Sequence, residues 1–297
     1  MQQNEIKIIN RLSAVSVVGN TALTVFKMVA GLVGNSSAMV SDAIHSFSDI
    51  LTTVIAYVGT RISGKRADKE HPYGHERVEC VASLLLSLML LATGLGIGYA
   101  GMRAIVTGTY KTFSVPGAVA LVAAVVSIVT KEAMFQYTRH YAKILHSDAF
   151  MADAWHHRSD ALSSIGSLLG IGGAMLGFPI CDSVASVVIC VFIAKAAYDI
   201  AADALCKLLD TSCSDEFEGE IRGFVESEPQ VERVDLLHTR QFGNRVYLDL
   251  EIAMDGSMKL DEAHAVAERV HSRIEARFPS VKHVMIHVNP DDKGKND

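Results

Sequence analysis

Long apolar runs alternate with short polar gaps along the first two thirds of the chain, and this pattern predicts membrane-spanning helices. A helix needs about 20 predominantly apolar residues to cross the hydrocarbon core of a bilayer. A soluble helical bundle is disfavoured, because runs such as VASLLLSLMLLATGLGIGYAGM are hard to cover with a chain of 297 residues. We therefore predict an α-helical membrane domain over 1–208. Its six transmembrane helices are predicted at roughly 12–34, 38–62, 79–105, 113–136, 149–176 and 180–206.

The pattern changes near residue 214 to that of a small soluble α+β domain. Phe217, Ile221 and Val225 lie on one face of a predicted helix, and apolar residues alternate along a predicted strand at 246–252. A second amphipathic helix is predicted over 263–278 and a final strand over 284–287. We predict an αββαβ domain over 209–290, followed by a disordered tail over 291–297.

Charge and cysteine usage narrow the function and the orientation. The net charge of −6 excludes a typical nucleic-acid binder, which needs a basic face. The five cysteines show no paired spacing, so we expect neither a disulfide framework nor a thiolate metal site. Lys and Arg concentrate before the first span and after the second and fourth, which predicts that both termini are cytoplasmic. No small-residue cleavage site follows the first apolar run, so we expect that run to be retained.

An eight-residue motif, D-A-x-H-x-x-S-D, occurs in both the second and the fifth predicted spans, at 42–49 and at 153–160. The two spans are three apart, so the copies run through the bilayer in opposite directions. This arrangement indicates inverted-topology repeats, which place a substrate site between the halves near the midplane.

Each copy of the motif places a histidine and an aspartate four residues apart, His45 with Asp49 and His156 with Asp160. Residues at this spacing share one helix face, about 6 Å apart along the axis. Two facing pairs provide two imidazoles and two carboxylates, which suits tetrahedral Zn²⁺. The alternative is that these side chains only satisfy each other in a helical bundle. Ionisable groups inside a bilayer are costly, however, and indicate function.

The first residue of each motif copy, Asp42 or Asp153, has two interpretations. It could orient the imidazole one helical turn away, or it could begin a helix near an aqueous cavity. His157 and Arg158 are expected to face elsewhere on their helix and not to be ligands.

With these motifs, six spans, the loop HPYGHERVE at 71–79 and a soluble carboxyl-terminal domain, the chain resembles the cation diffusion facilitator family of metal transporters over nearly its whole length. The resemblance implies a homodimer in the lipid bilayer that exports a divalent cation from the cytoplasm in exchange for protons by alternating access. The His-Asp plus His-Asp quartet resembles the zinc-transporting branch. Zn²⁺ is then the substrate and a regulatory ligand, with no cofactor as such.

The resemblance also implies roles for two sets of residues near the second loop. Asp68, His71 and His75 align with a second metal site of some family members, although Pro72 and Gly74 equally suit a tight turn into the third span. Two further residues, Arg77 and Asp210, resemble the family's interlocking charge pair at the dimer, with a solvated arginine as the alternative.

The carboxyl-terminal domain resembles the family's metallochaperone-like, ferredoxin-type cytoplasmic domain, which dimerises and regulates. His264 and His287 match positions that carry regulatory metal, and Glu251 stands where relatives often have histidine. Asp235 and Asp249 are nearby ligand candidates. The remaining histidines of the domain, His238, His271 and His283, are expected to be surface residues.

Several function classes stay open at this point. The cargo of the same fold could instead be mainly Fe²⁺, Mn²⁺, Co²⁺ or Cd²⁺, because these ions share the same donors. A transport-inactive metal sensor or scaffold is a second alternative. An intramembrane metal hydrolase is disfavoured, because four protein ligands leave no open coordination position. Short loops favour a prokaryotic inner membrane.

Overall fold

The computed structural model describes residues 3–33, 37–108, 118–175 and 180–291. The chain divides into two compact units, Met1–Leu205 and Cys206–Asp297. Within the described residues the first unit is built from long helices and the second from helices and a sheet. The helices are α1 (Gln3–Val33), α2 (Ser37–Ser63), α3 (Arg77–Thr107), α4 (Ala118–Leu145), α5 (Asp148–Met175) and α6 (Cys181–Leu208).

A stripe of buried positions along α1 shows why this helix packs as it does. Buried residues recur every three or four positions, which places them on one face of a helix. They are Ile9, Leu12, Ser16, Asn20, Leu23 and Lys27. Helix α1 packs beside α2 and α4, and α5 packs beside α2, α3 and α4. Helix α5 therefore packs directly beside α2, the other helix that carries the repeated motif.

Helices α3 and α6 approach each other closely along small residues. A Cβ atom at Gly94 would lie 2.6 Å from Cγ2 of Ile193, and one at Gly101 would lie 2.8 Å from the backbone oxygen of Ser183. Both distances are well below an ordinary carbon contact of about 3.5–4.0 Å. The missing side chains are therefore what lets the two helices meet.

Two of the described helices are long and apolar enough to cross a bilayer by length and composition alone. They are residues Asn4–Val29 of α1 and the whole of α3. A buried core helix of a soluble protein can pass the same test. Over their described residues, the two helices that carry the motif, α2 and α5, do not pass this test, and their ionisable residues lower their hydropathy.

The second unit contains α7 (Asp215–Glu226), β1 (Arg233–Phe242), β2 (Arg245–Asp255), α8 (Leu260–Arg277) and β3 (Val281–Asp291), in the predicted order. Strand β2 lies in the middle of a mixed sheet, antiparallel to β1 and parallel to β3. Gly243, with φ of 64°, occupies the left-handed backbone region that the tight β1–β2 turn requires. All five elements contribute to one apolar core that includes Ile221, Leu250 and Ile274.

The final strand is longer than predicted and includes part of the predicted tail. The final residues Asn289, Pro290 and Asp291 pair in register with the end of β2. Asp291 also forms an ion pair with Arg233, in which Oδ1 of Asp291 lies 2.6 Å from Nη1 of Arg233. The polar composition of the tail favours disorder, but the pairing with β2 and the ion pair with Arg233 hold its first residue, Asp291, in the sheet. Residues 292–297 of the predicted tail lie outside the described residues.

Candidate metal centre

A buried group of ligand-type side chains forms where α2 meets α5. Asp49 of α2 and the pair His156 and Asp160 of α5 place one potential ligand atom each within 4.8 Å of one another. Asp49 is 1% exposed and His156 is 5% exposed. The Oδ1 atom of Asp49 lies 3.3 Å from Nε2 of His156. Three members of the predicted quartet therefore lie together in the protein interior.

The fourth member of the quartet, His45, lies on α2, one helical turn before Asp49. Its side chain is outside the part of the chain that the structure describes, as is that of Asp42. The participation of His45 therefore stays a prediction from the motif.

Lys131 of α4 completes the buried group, and the sequence analysis missed it. Its Nζ atom lies 2.6 Å from Oδ2 of Asp49 and 2.8 Å from Oδ2 of Asp160, and it donates to Oδ1 of Asn20 at 3.0 Å. Lys131 is 1% exposed. A lysine within the predicted fourth span, at 113–136, is itself a signal of function, because intramembrane charges are rare and usually paired. That signal could have identified it.

Asp153, the first residue of the second motif copy, joins α5 to α2. Its carboxylate is fully buried and accepts hydrogen bonds from Thr52 at 2.9 Å and from Thr53 at 3.2 Å. Nε2 of the fully buried His157 lies 3.7 Å from the same carboxylate. Asp153 thus fixes the relative position of the two helices that carry the ligand pairs. The contacts described for the Asp153 carboxylate are with Thr52, Thr53 and His157.

The chemistry of the buried group suits a divalent transition metal. Two carboxylates and an imidazole are donors that Zn²⁺ accepts at about 2.0–2.2 Å, which separates tetrahedral ligand atoms by about 3.3–3.6 Å. The three ligand atoms lie within 4.8 Å of one another, and the 3.3 Å between Oδ1 of Asp49 and Nε2 of His156 already matches this separation. The Lys131 ammonium now contacts both carboxylates that such an ion would use.

A second group of ligand-type side chains lies in the loop between α2 and α3. Asp68 Oδ1 is 3.5 Å from Nδ1 of His71, and Asp68 Oδ2 is 3.3 Å from Nε2 of His75. Backbone N–H groups of His71 and Glu70 donate to the Asp68 carboxylate and lower its pKa below the usual 3.8. Gly74, with φ of 103°, supplies the turn. The loop therefore presents a deprotonated carboxylate beside two imidazoles.

The predicted ligands of the carboxyl-terminal unit are more dispersed. Glu251 and His287 are register partners on β2 and β3, and Asn289 bridges Glu251 to Asp235 with hydrogen bonds of 3.2 and 2.9 Å. The Asn289 hydrogen bond and then Arg233 lower the pKa of Asp235.

Two further candidates of this unit lie apart from that bridge. His264 is exposed on α8, and Asp249 is exposed on β2 opposite His238. Among the described residues, the only groups of three converging ligands are the centre at Asp49 and the loop at Asp68. A regulatory metal site in this domain therefore stays a prediction.

The residues of the predicted charge pair lie at helix ends. Arg77 is the first residue of α3, and Asp210 follows α6 with φ of 57°. Their pairing stays a prediction.

Comparisons with known proteins bear on the family of the chain. A model described as "Cation efflux transmembrane domain" matches residues 13–209, and one described as "Cation efflux protein, cytoplasmic domain" matches residues 213–291. The chain is 33% identical to the magnetosome protein MamB of Magnetospira sp. (strain QH-2), covering 91% of this chain and 92% of that protein. It is 34% identical to the uncharacterized transporter YdbO of Bacillus subtilis (strain 168), covering 91% of each.

A third relative is the manganese efflux system protein MneP of Bacillus subtilis (strain 168), which is 28% identical over 96% of this chain and 97% of that protein. The two family models together match most of both units. These matches confirm the resemblance found in the sequence: the chain belongs to the cation diffusion facilitator family of divalent-metal efflux transporters, which are integral membrane proteins and not enzymes.

Proposed function

We propose that this protein exports Zn²⁺ from the cytoplasm in exchange for protons by alternating access. The observation that carries the proposal is the buried convergence of Asp49 from one helix with His156 and Asp160 from another. Carboxylates and an imidazole in one buried group have no simple packing role, whereas they match the donor set of Zn²⁺. With His45, the centre would offer two nitrogen and two oxygen ligands.

Exchange for protons follows from the same donors. A metal ion binds neutral imidazole and ionised carboxylate, so protons and metal compete for these groups. Histidine changes charge near neutral pH, which makes a pH difference across the membrane an effective driving force. Loading on one side and protonation on the other would then move metal outward.

We further propose the membrane arrangement: six spans over residues 1–208, arranged as inverted repeats, with both termini in the cytoplasm of a prokaryotic cell and the chain in its inner membrane. Large apolar side chains are exposed along the helices, as a lipid-facing surface requires. On α3 and α6 these include Leu85, Leu88, Val188 and Phe192. Residues 209–290 would form the cytoplasmic, metallochaperone-like domain of a homodimer.

The remaining metal-site residues are proposed as regulatory. The loop group of Asp68, His71 and His75 is exposed enough to exchange metal with the cytoplasm directly. Among the described residues, the carboxyl-terminal candidates form no group of three converging ligands in one chain, so a second copy would have to complete a site there. The Arg77–Asp210 pair is proposed to support the dimer.

Manganese is the second candidate cargo. The relative MneP is named for manganese efflux, and two carboxylates in the centre are donors that Mn²⁺ also accepts. Zn²⁺ remains our first choice because the motif adds imidazoles, which favour it over the harder ion.

The test is uptake of Zn²⁺ and Mn²⁺ into proteoliposomes driven by a pH gradient. Asp49→Ala and His156→Ala are each expected to reduce uptake at least tenfold, because each removes a direct ligand. Asp199→Ala is the matched control: Asp199 also pairs with a lysine, Lys195, but on the exposed face of α6. Unchanged uptake in both ligand variants would refute the centre, and no uptake by the intact protein would favour a sensor or scaffold.

A further inference from the structure

Lys131 contacts both carboxylates of the centre. We propose that its ammonium is the internal counter-ion of the metal-free centre and that the incoming metal must displace it. This inference rests on the proposed function, because it assigns Asp49 and Asp160 to the metal. It goes beyond that function in naming what occupies the carboxylates between transport events.

Charge is the first argument. Two ionised carboxylates held within a few ångströms of each other in a dry interior would repel and would lack solvation. The Lys131 ammonium lies 2.6 and 2.8 Å from them, close enough for two charge-assisted hydrogen bonds. It reduces the formal charge of the pair from −2 to −1. In the empty centre the ammonium therefore offsets part of the repulsion and of the lost solvation.

Repulsion between two cations is the second argument. Lys131 contacts Oδ2 of Asp49 and Oδ2 of Asp160, one from each of the helices that present the ligands. A divalent ion bound by the same two carboxylates would lie within a few ångströms of the ammonium, and two cations repel strongly at that separation in a buried site. The ammonium and the metal therefore compete for the two carboxylates.

Asn20 of α1 provides a place for the displaced ammonium. Its Oδ1 accepts from Lys131 at 3.0 Å, and its Nδ2 has no hydrogen-bond partner among the described residues. The ammonium can keep this neutral partner while it gives up the carboxylates. On metal binding, Lys131 of α4 would lose its contacts with Asp49 of α2 and Asp160 of α5, and it would keep its contact with Asn20 of α1.

The functional consequence is a weaker, more easily reversed metal site. Each binding event must break the lysine contacts, and each release is assisted by their return. A transporter benefits because an ion held too tightly is not released. Removal of the charge should therefore tighten metal binding and slow turnover.

The experiment is a titration of the full-length protein in detergent with Zn²⁺, in which binding is measured by calorimetry. Thermal unfolding with and without Zn²⁺ is the second measurement. Lys131→Met and Lys131→Gln are both neutral, and Lys195→Met is the matched control on the exposed face of α6. The Zn²⁺-binding component of the titration that is present in the intact protein and lost in Asp49→Asn is assigned to the centre. Both neutral variants are expected to bind at this component at least tenfold more tightly, which is about 1.4 kcal/mol.

Thermal unfolding gives a readout that does not depend on transport. The metal-free Lys131 variants should melt at lower temperature than the intact protein, and Zn²⁺ should raise their melting temperature by more. Lys195→Met should change neither quantity. A double variant combines Lys131→Met with Asp160→Asn, so that the formal charge of the buried group stays at −1, as in the intact protein. The double variant should bind Zn²⁺ more tightly than Asp160→Asn alone.

The outcomes separate the two proposals. Unchanged or weaker binding in the neutral variants, and no tightening in the double variant, would overturn the counter-ion role while Asp49→Asn still abolishes the component. If Asp49→Asn leaves every Zn²⁺ component intact, the centre itself is wrongly placed and the proposed function loses its site.

Discussion

Gly101 is where α3 lies against the backbone of α6, and filling this position tests that packing quantitatively. A Cβ there would lie 2.8 Å from the backbone oxygen of Ser183 and 2.8 Å from Cβ of Ser186. An ordinary contact is about 3.5–4.0 Å, so the helices must separate by more than half an ångström. Overpacking of this kind costs about 1–3 kcal/mol. Because a backbone atom is the obstacle, rotamer changes cannot relieve it.

Gly96, five residues earlier on the same helix, is the matched control. A Cβ at Gly96 meets no atom within 4 Å. Alanine there should stabilise α3 by up to about 1 kcal/mol, since glycine is the poorer helix former. Gly101→Ala also gains this propensity but loses more through the steric conflict. The two alanine variants should therefore differ by about 1–3 kcal/mol.

The single tryptophan, Trp155, gives the assay, because it packs against Leu90 of α3 and Ile193 of α6 in one cluster. Its fluorescence during heating in detergent reports the unfolding of the first unit. At about 2–4 °C per kcal/mol for a unit of this size, Gly101→Ala should melt at least about 2 °C below Gly96→Ala. Equal melting temperatures would mean that α3 and α6 are not packed as described.

Two further predictions concern the carboxyl-terminal unit and are read by pulse proteolysis of the full chain. Ile274→Ala should lower the unfolding free energy by about 2–5 kcal/mol, because Ile274 is fully buried, whereas Leu260→Ala, at an 86% exposed position, should change it little; equal effects would contradict this core. Asp235→Asn should destabilise the unit at neutral pH. Asn289 and Arg233 lower the pKa of Asp235, so the stability it contributes is present above pH 3.8 and is lost as the pH falls below that value; a pH-independent effect would refute this origin.

Helix boundaries could be predicted where the apolar period and the helix coincide. The second span was expected at about 38–62, and α2 runs from Ser37 to Ser63. The fourth was expected to end near 136, but α4 continues to Leu145. Its last turns are amphipathic, and Ala142 packs against Phe150 in an apolar cluster. Hydropathy alone predicts the end of such a helix too early, because it contains no information about the tertiary contacts that cover the apolar face. Residues 113–117 lie outside the described part.

The strand β3 shows the same limit in the sheet. Its apolar residues were found, since Val284 and Ile286 lie in a short apolar run. Its polar end was left out of the predicted strand, and Asp291 was assigned to the tail, because Asn, Pro and Asp favour turns and loops. The parallel pairing with β2 and the ion pair from Arg233 to Asp291 reverse that preference. Such contacts join residues far apart in the chain.

The sequence by itself determined the family, the order of elements in both units and the ligand pair on α5. These features depend on periods and spacings within single segments, as His156 and Asp160 at i and i+4 illustrate. Only the tertiary structure decided that Lys131 lies between Asp49 and Asp160, and that Asn20 supports it. A buried charge finds its partners across helices, and no local spacing states which residues will meet there.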